Sequence, residues 1–149
     1  LKLQRLNQAG DLLVPLTDAE GSVVNAQLIN AAGDKRTLPD VRVKGSFHLC
    51  GIPDATLWLT EGVATGLTVH RLTGQAAYVA LSANNLPELA RQLRAQYPDA
   101  LMLLAADSDD NGAGQRKAGE AAKACDGKTA LPPVSTPRFM TAFAIFNVR

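Results

Sequence analysis

The sequence predicts an α/β fold, a four-stranded parallel sheet flanked by helices, preceded by an antiparallel β-hairpin subdomain. Three observations carry that prediction. Short β-rich runs separated by Gly and Asp turns fill the first 50 residues. After Gly51 the rhythm becomes strand, helix, strand, helix, strand, helix, strand, the order of a parallel sheet with right-handed crossovers. Within that second half, residues 101–106 form an unbroken apolar run that stops at a cluster of carboxylates. Such a run suits a strand buried on both faces, whose carboxyl end is where open α/β sheets place their ligands. The chain therefore divides into residues 1–50, the antiparallel β subdomain; 51–133, the α/β unit; and 134–149, a C-terminal segment without a clear pattern.

At 149 residues with 46% apolar content, the chain can bury one real core. Its net charge of +1 gives no overall basic signature, so any nucleic-acid surface must be local. Cys50 and Cys125 form no CxxC or Cys/His spacing and read as two unpaired thiols of a cytoplasmic protein. No stretch is long and apolar enough to suggest a membrane span, and no signal-peptide pattern is present. The chain starts at Leu1 and reads as a piece of a longer protein.

Residues 1–10 are mixed and carry no pattern. Residues 12–16 read as a strand, 17–21 as a turn, and 22–29 as a second strand with alternation in its later part. A turn at 31–34 leads to residues 35–38, and residues 45–49 suggest a further short strand. In the α/β unit, residues 56–60 form a short buried strand ended by Glu61-Gly62, and residues 63–72 have helical spacing closed by Gly74. Residues 76–81 are the second strand. Residues 86–97 form an amphipathic helix, with Asn84-Asn85 offering N-cap chemistry and Pro98 stopping it. Residues 101–106 are the third strand, 114–124 an Ala- and Lys-rich helix, and 128–131 a weak fourth strand ended by Pro132-Pro133.

Glu61 and Asp107 end the first and third of these strands, so both stand at the same edge of one sheet. Asp109 and Asp110 complete an oxygen-rich set. Carboxylates this dense repel one another unless a cation screens them, and hard oxygen donors favour Mg²⁺, with Mn²⁺ the alternative. Two such ions could clamp the attacking and leaving oxygens of a phosphoryl transfer. Gly62 and Gly112 let backbone and substrate approach, and the helix starts beyond them suit phosphate. Taken alone, Glu61 also fits an acid in a first helical turn. Residues 107–112 match the first half of an EF-hand loop, but the twelfth position is Ala118 rather than Glu, and a strand precedes it where a helix is required. Lys35, Arg36, Arg42 and Lys44 are the clearest basic concentration, readable as a solvated hairpin edge or as a phosphate-contacting ribbon. His48, His70 and Trp58 read as structural.

Residues 60–67, with Glu61-Gly62, and residues 105–112, with Asp107 and Asp109, together resemble the two motifs of the Toprim domain. That domain is shared by bacterial-type primases, topoisomerases and some nucleases. Residues 12–16, the Gly33 to Arg36 turn, the Lys44 to Phe47 segment and the Asn85-Leu86-Pro87 helix start resemble more closely the primases and primase-helicases of plasmids, phages and integrated mobile elements. The resemblance covers roughly residues 10–133. It implies a Toprim-like (Rossmann-like) fold and a DNA primase, a nucleotidyltransferase that builds RNA primers on single-stranded DNA from nucleoside triphosphates during replication. It implies Mg²⁺ on Asp107 and Asp109, with Glu61 binding metal or transferring a proton, and Arg42 and Lys44 contacting template or nucleotide phosphates. A helicase or other domains in a longer parent chain are the partners it implies; no membrane partner is expected. A Toprim nuclease or topoisomerase fragment is the alternative within enzymes, although Tyr78 and Tyr97 are not placed as topoisomerase nucleophiles. A binding module that holds Mg²⁺ and nucleic acid without catalysis is the alternative outside them. Relatives of this type continue into an acidic segment after the fourth strand, whereas residues 138–149 contain no carboxylate side chain.

Overall fold

The computed structural model describes residues 4–6, 10–39, 44–106, 112–131 and 147–148. Its strands form two sheets. In the first, β1 (Gln4–Leu6), β2 (Asp11–Thr17), β3 (Val23–Ile29) and β4 (Lys35–Thr37) run as an antiparallel meander in that spatial order. The turns are built by short polar side chains that bond nearby backbone. The Asp18 carboxylate accepts from the Ser22 N–H at 2.8 Å, and the Asn30 side-chain oxygen accepts from the Asp34 N–H at 2.8 Å. β1 occupies residues that carry no sequence pattern. An edge strand of three residues has too few positions to show alternation.

The second sheet contains β5 (His48–Cys50), β6 (Thr56–Thr60), β7 (Ala76–Val79), β8 (Leu101–Ala105), β9 (Lys128–Leu131) and β10 (Asn147–Val148), in the order β10-β9-β8-β6-β7-β5. The four central strands are mutually parallel, as the sequence predicts. The outer two are antiparallel to their neighbours. β5 thus joins the α/β sheet beside β7, not the meander that precedes it in sequence. Helix α1 (Val63–Thr73) follows β6, α2 (Leu86–Gln96) follows β7 after a 3₁₀ turn at Ala83–Asn85, and α3 (Ala113–Cys125) follows β8.

Both faces of the parallel sheet are buried, and successive residues alternate between them. Leu57, Leu59, Tyr78, Met102 and Leu104 point to the side of α2 and α3, where they meet Leu89, Leu93 and the small face Ala118, Ala121 and Ala122. Trp58, Ala77, Val79, Leu103 and Ala105 point to the opposite side, against Val63 and Val69 of α1 and Val14 of the meander. The Trp58 indole N–H donates to Gln75 Oε1 at 2.7 Å, so the ring is core with its polar tip satisfied. Arg94 ties the ends of α2 and α3 together, donating to the carbonyls of Cys125 at 2.7 Å, Pro98 at 2.6 Å and Ala100 at 3.1 Å. Cys50 and Cys125 are both buried free thiols. No helix among the described residues is long and apolar enough to cross a membrane.

The meander docks on the larger sheet through β5. Thr17 and Phe47 exchange backbone hydrogen bonds of 2.8 and 2.9 Å, and the buried His48 ring bonds the Pro15 carbonyl through Nδ1 at 2.9 Å. A carbonyl only accepts, so Nδ1 carries the proton.

Candidate nucleotide site at the sheet edge

Because β6 and β8 are parallel neighbours, register decides which residues share an edge. Thr60 pairs with Ala105, so the next residues, Glu61 and Ala106, leave adjacent strands at the same end, where strands lie roughly 4.8 Å apart. Ala106 is buried, and the acidic run begins at the following residue. Asp107, Asp109 and Asp110 lie outside the described residues, as does Arg42. Among the described residues no cluster of three or more His, Cys, Asp and Glu side chains is placed to hold a metal. Of the four nominated carboxylates only Glu61 falls within them.

Glu61 is half-buried, and its backbone is fixed on the β7 side as well. Its carbonyl accepts from the Leu81 N–H at 2.9 Å, while the Thr60 carbonyl accepts from the Ala80 N–H at 2.8 Å. Leu81 has φ of +62°. A leucine in the left-handed region is strained, and such strain concentrates where a chain must turn at a ligand-binding edge. Nothing in the sequence marks Leu81 for this.

Helices α1 and α3 both start at this edge, and each N-cap is a glycine, Gly62 and Gly112, which brings no side-chain acceptor. Gly112 has φ of +66°, a conformation glycine adopts without strain, whereas Gly62 is extended at φ −95°. The positive ends of two helix dipoles therefore flank the carboxyl ends of β6 and β8, a setting that favours anions.

The nominated basic residues separate into two places. Lys35 and Arg36 lie on β4, the exposed outer strand of the meander, paired with Ile29 and Leu28. Lys44 stands instead at the start of α2, its ammonium 3.9 Å from Glu88 Oε2 and its side chain 81% exposed. The Arg91 guanidinium, hydrogen-bonded to Glu88 at 3.0 Å, and then Lys44, hold the Glu88 carboxyl below its ordinary range.

Asn85 corrects one expectation from the sequence. It occupies the N-cap position of α2 but makes no side-chain cap. Its carboxamide, on a residue only 5% exposed, reaches back across the fold. Oδ1 accepts from the Gly45 N–H at 2.8 Å, and Nδ2 donates to the carbonyls of Ser46 at 2.8 Å and Ala80 at 3.0 Å. The Lys44 to Phe47 segment and the Asn85 helix start, two separate stretches in sequence, are two sides of one contact. Asn at a helix start suits a cap and a cross-link equally, so sequence alone could not choose.

A cavity of about 240 Å³ lies elsewhere, between the meander and α2, lined in part by Pro15, Thr17, Phe47, His48, Tyr78 and Tyr97. Among the described residues, none of the nominated site residues lines it.

A family model described as the Toprim domain matches residues 56–136. The DNA primase TraC of Escherichia coli is 37% identical over 131 residues, which span 80% of this chain but only 12% of that protein's length. The primase fragment of the bacteriophage T7 primase-helicase protein shares the fold with a TM-score of 0.66 at 16% identity, over 88% of this chain and 57% of that one. The DnaG primase catalytic domain bound to ssDNA does so with a TM-score of 0.57 at 16% identity, over 82% and 43%.

Proposed function

The chain belongs to the Toprim domain family, and from that premise we propose that it is the catalytic Toprim domain of a DNA primase. Its reaction is Mg²⁺-dependent nucleotidyl transfer, which joins nucleoside triphosphates into an RNA primer on a single-stranded DNA template. One observation carries this reading: the Thr60↔Ala105 register sets Glu61 beside the strand end from which Asp107 and Asp109 follow. The likeness to DNA primase TraC supports it independently.

Every donor in this set is a carboxylate oxygen, which fits Mg²⁺ and admits Mn²⁺, while no thiolate or imidazole is offered to a softer metal. Asp107 and Asp109 would hold the ion, with Asp110 beside them and Glu61 as a further ligand or proton acceptor. When bound, Mg²⁺ neutralises triphosphate charge and lowers the pKa of the attacking hydroxyl. The chain's own residues orient the reactants. The helix starts at Gly62 and Gly112 receive phosphate oxygens, Lys44 adds a cation on the nucleotide side, and Lys35, Arg36 and Arg42 contact template phosphates. In the parent protein a helicase or other domains would complete the assembly.

The test is primer synthesis by the full-length protein on single-stranded DNA with Mg²⁺. Asp107→Asn, Asp109→Asn and Glu61→Gln should each lower the rate by about a hundredfold or more, with the melting temperature unchanged. Full activity in the two aspartate variants would show the mechanism to be wrong. If the wild type binds Mg²⁺ and single-stranded DNA but makes no primers, a binding module replaces the primase. If it cleaves DNA instead, the nuclease reading does.

A further inference from the structure

We propose that Asn85 is the positioning residue for Lys44, and that through it α2 delivers the Lys44 ammonium to the phosphates of an incoming nucleoside triphosphate. This rests on the nucleotidyl-transfer reading above and assigns one of its contacts.

Lys44 precedes β5 and reaches the site only if the turn that carries it is fixed. Two groups on the first turn of α2 and the residue before it fix that turn. Asn85 holds its backbone, through the Gly45 N–H and the Ser46 carbonyl, and Glu88 faces the ammonium. The same carboxamide grips Ala80, whose own N–H bonds the carbonyl of Thr60, the last residue of β6 and the one before Glu61. One side chain thus joins the basic turn to the carboxyl end of β7, and β7 is joined in turn to β6. Gly45 has φ of +77°, and a Cβ there would stand 2.8 Å from Gln92 Oε1, so the turn is tightly seated on α2. A carboxamide is the chemistry this junction requires, because one acceptor and two donors must serve two carbonyls and an amide in the same plane. The Lys44 side chain is 81% exposed beyond that buried anchor, with the Glu88 carboxylate beside its ammonium.

The experiment measures binding of N-methylanthraniloyl-GTP with Mg²⁺ to the full-length protein by fluorescence anisotropy, alongside melting temperature and primer synthesis. Lys44→Ala and Asn85→Ala should each raise the Kd by about tenfold, and the double variant should be no weaker than the worse single one, because both remove one contact. Asn85→Asp keeps the acceptor for Gly45 and loses the two donors; Gly45→Ala strains the turn and leaves Asn85 intact. Both should also raise the Kd, and they decide the matter if Asn85→Ala does not fold. A merely structural Asn85 would lower the melting temperature with the Kd within twofold of wild type, or would add its effect to that of Lys44→Ala; either result overturns the proposal. Nucleotide binding that weakens as described in a protein that makes no primers supports the Asn85 assignment and removes the primase reading. Primer synthesis with a Kd indifferent to Asn85 does the reverse, and a wild type that binds no nucleotide removes both.

Discussion

Replacing Gly66 by alanine should destabilise the protein even though alanine is the better helix former. Gly66 lies inside α1 and is buried against the sheet. A Cβ added there overlaps the Val79 Cγ2 methyl and stands 3.0 Å from Thr60 Oγ1. Val79 and Thr60 are fully buried, so neither can swing away without moving other core atoms. Overpacking of this kind costs about 1–3 kcal/mol, and a site with two rigid neighbours belongs in the upper part of that range. Alanine returns about 1 kcal/mol of helix propensity. The net loss is about 1–2 kcal/mol, equivalent to roughly 3–6 °C in a chain of this length. Gly119 provides the matched control: it lies inside α3, and a Cβ there meets nothing within 4 Å. Gly119→Ala should therefore stabilise by up to about 1 kcal/mol. Urea unfolding of both variants, followed by circular dichroism, gives the two signs directly. If Gly66→Ala is as stable as wild type or more so, the close approach of α1 to β6 and β7 is not as described.

Burial holds the His48 imidazole below its ordinary pKa, against the opposing pull of the Pro15 carbonyl bond. Between that lowered value and the unfolded value of about 6.5, the unfolded chain binds more protons than the native one. Stability should therefore fall as the pH drops below about 6.5, by no more than about 1.4 kcal/mol per pH unit, and level off once the pH is below the native pKa. This component should be missing from the acid side of the stability profile of His48→Asn, whose amide can still donate to Pro15. Burial also pushes the thiols of Cys50 and Cys125 upward, so a thiol-specific colorimetric reagent should label neither in the native protein and both in urea; fast labelling of the native state would contradict the core described for either residue.

The strand and helix order of the α/β unit was legible because three of the four parallel strands are apolar runs cut off by a turn, the fourth, Lys128–Leu131, being weaker, and because Gly74 and Pro98 stop the first two helices. What escaped was pairing between residues distant in sequence. Residues 45–49 read as a strand, but its partner β7 is some thirty positions away, and local patterning cannot choose between a neighbouring hairpin and a distant sheet. Asn85 escaped for a related reason: its three partners, Gly45, Ser46 and Ala80, become neighbours only once the sheet is built. Glu61 was legible as an acidic residue ending a strand, and the register supplies its neighbour at Ala106. Leu81 carries no signal because its positive φ is imposed by the turn around it and not by its own side chain. Lys35, Arg36 and Lys44 are neighbours in sequence but sit on different elements, the first two on β4, the outer strand of one sheet, and Lys44 beside Glu88 of α2.

β6, which Glu61 follows directly, has a parallel neighbour on each side, as β8 does, and a helix layer across each face. Amide groups in such a strand exchange with solvent only through openings close to global unfolding, whereas short outer strands such as β4 open locally at far lower free energy. The amides of β6, to which Glu61 is joined, should therefore be among the slowest to exchange in the described residues. In the catalytic cycle proposed above Glu61 would serve as the fixed point, with adjustment left to the rim of the fold, where hydrogen-exchange mass spectrometry should find the fast amides of β4.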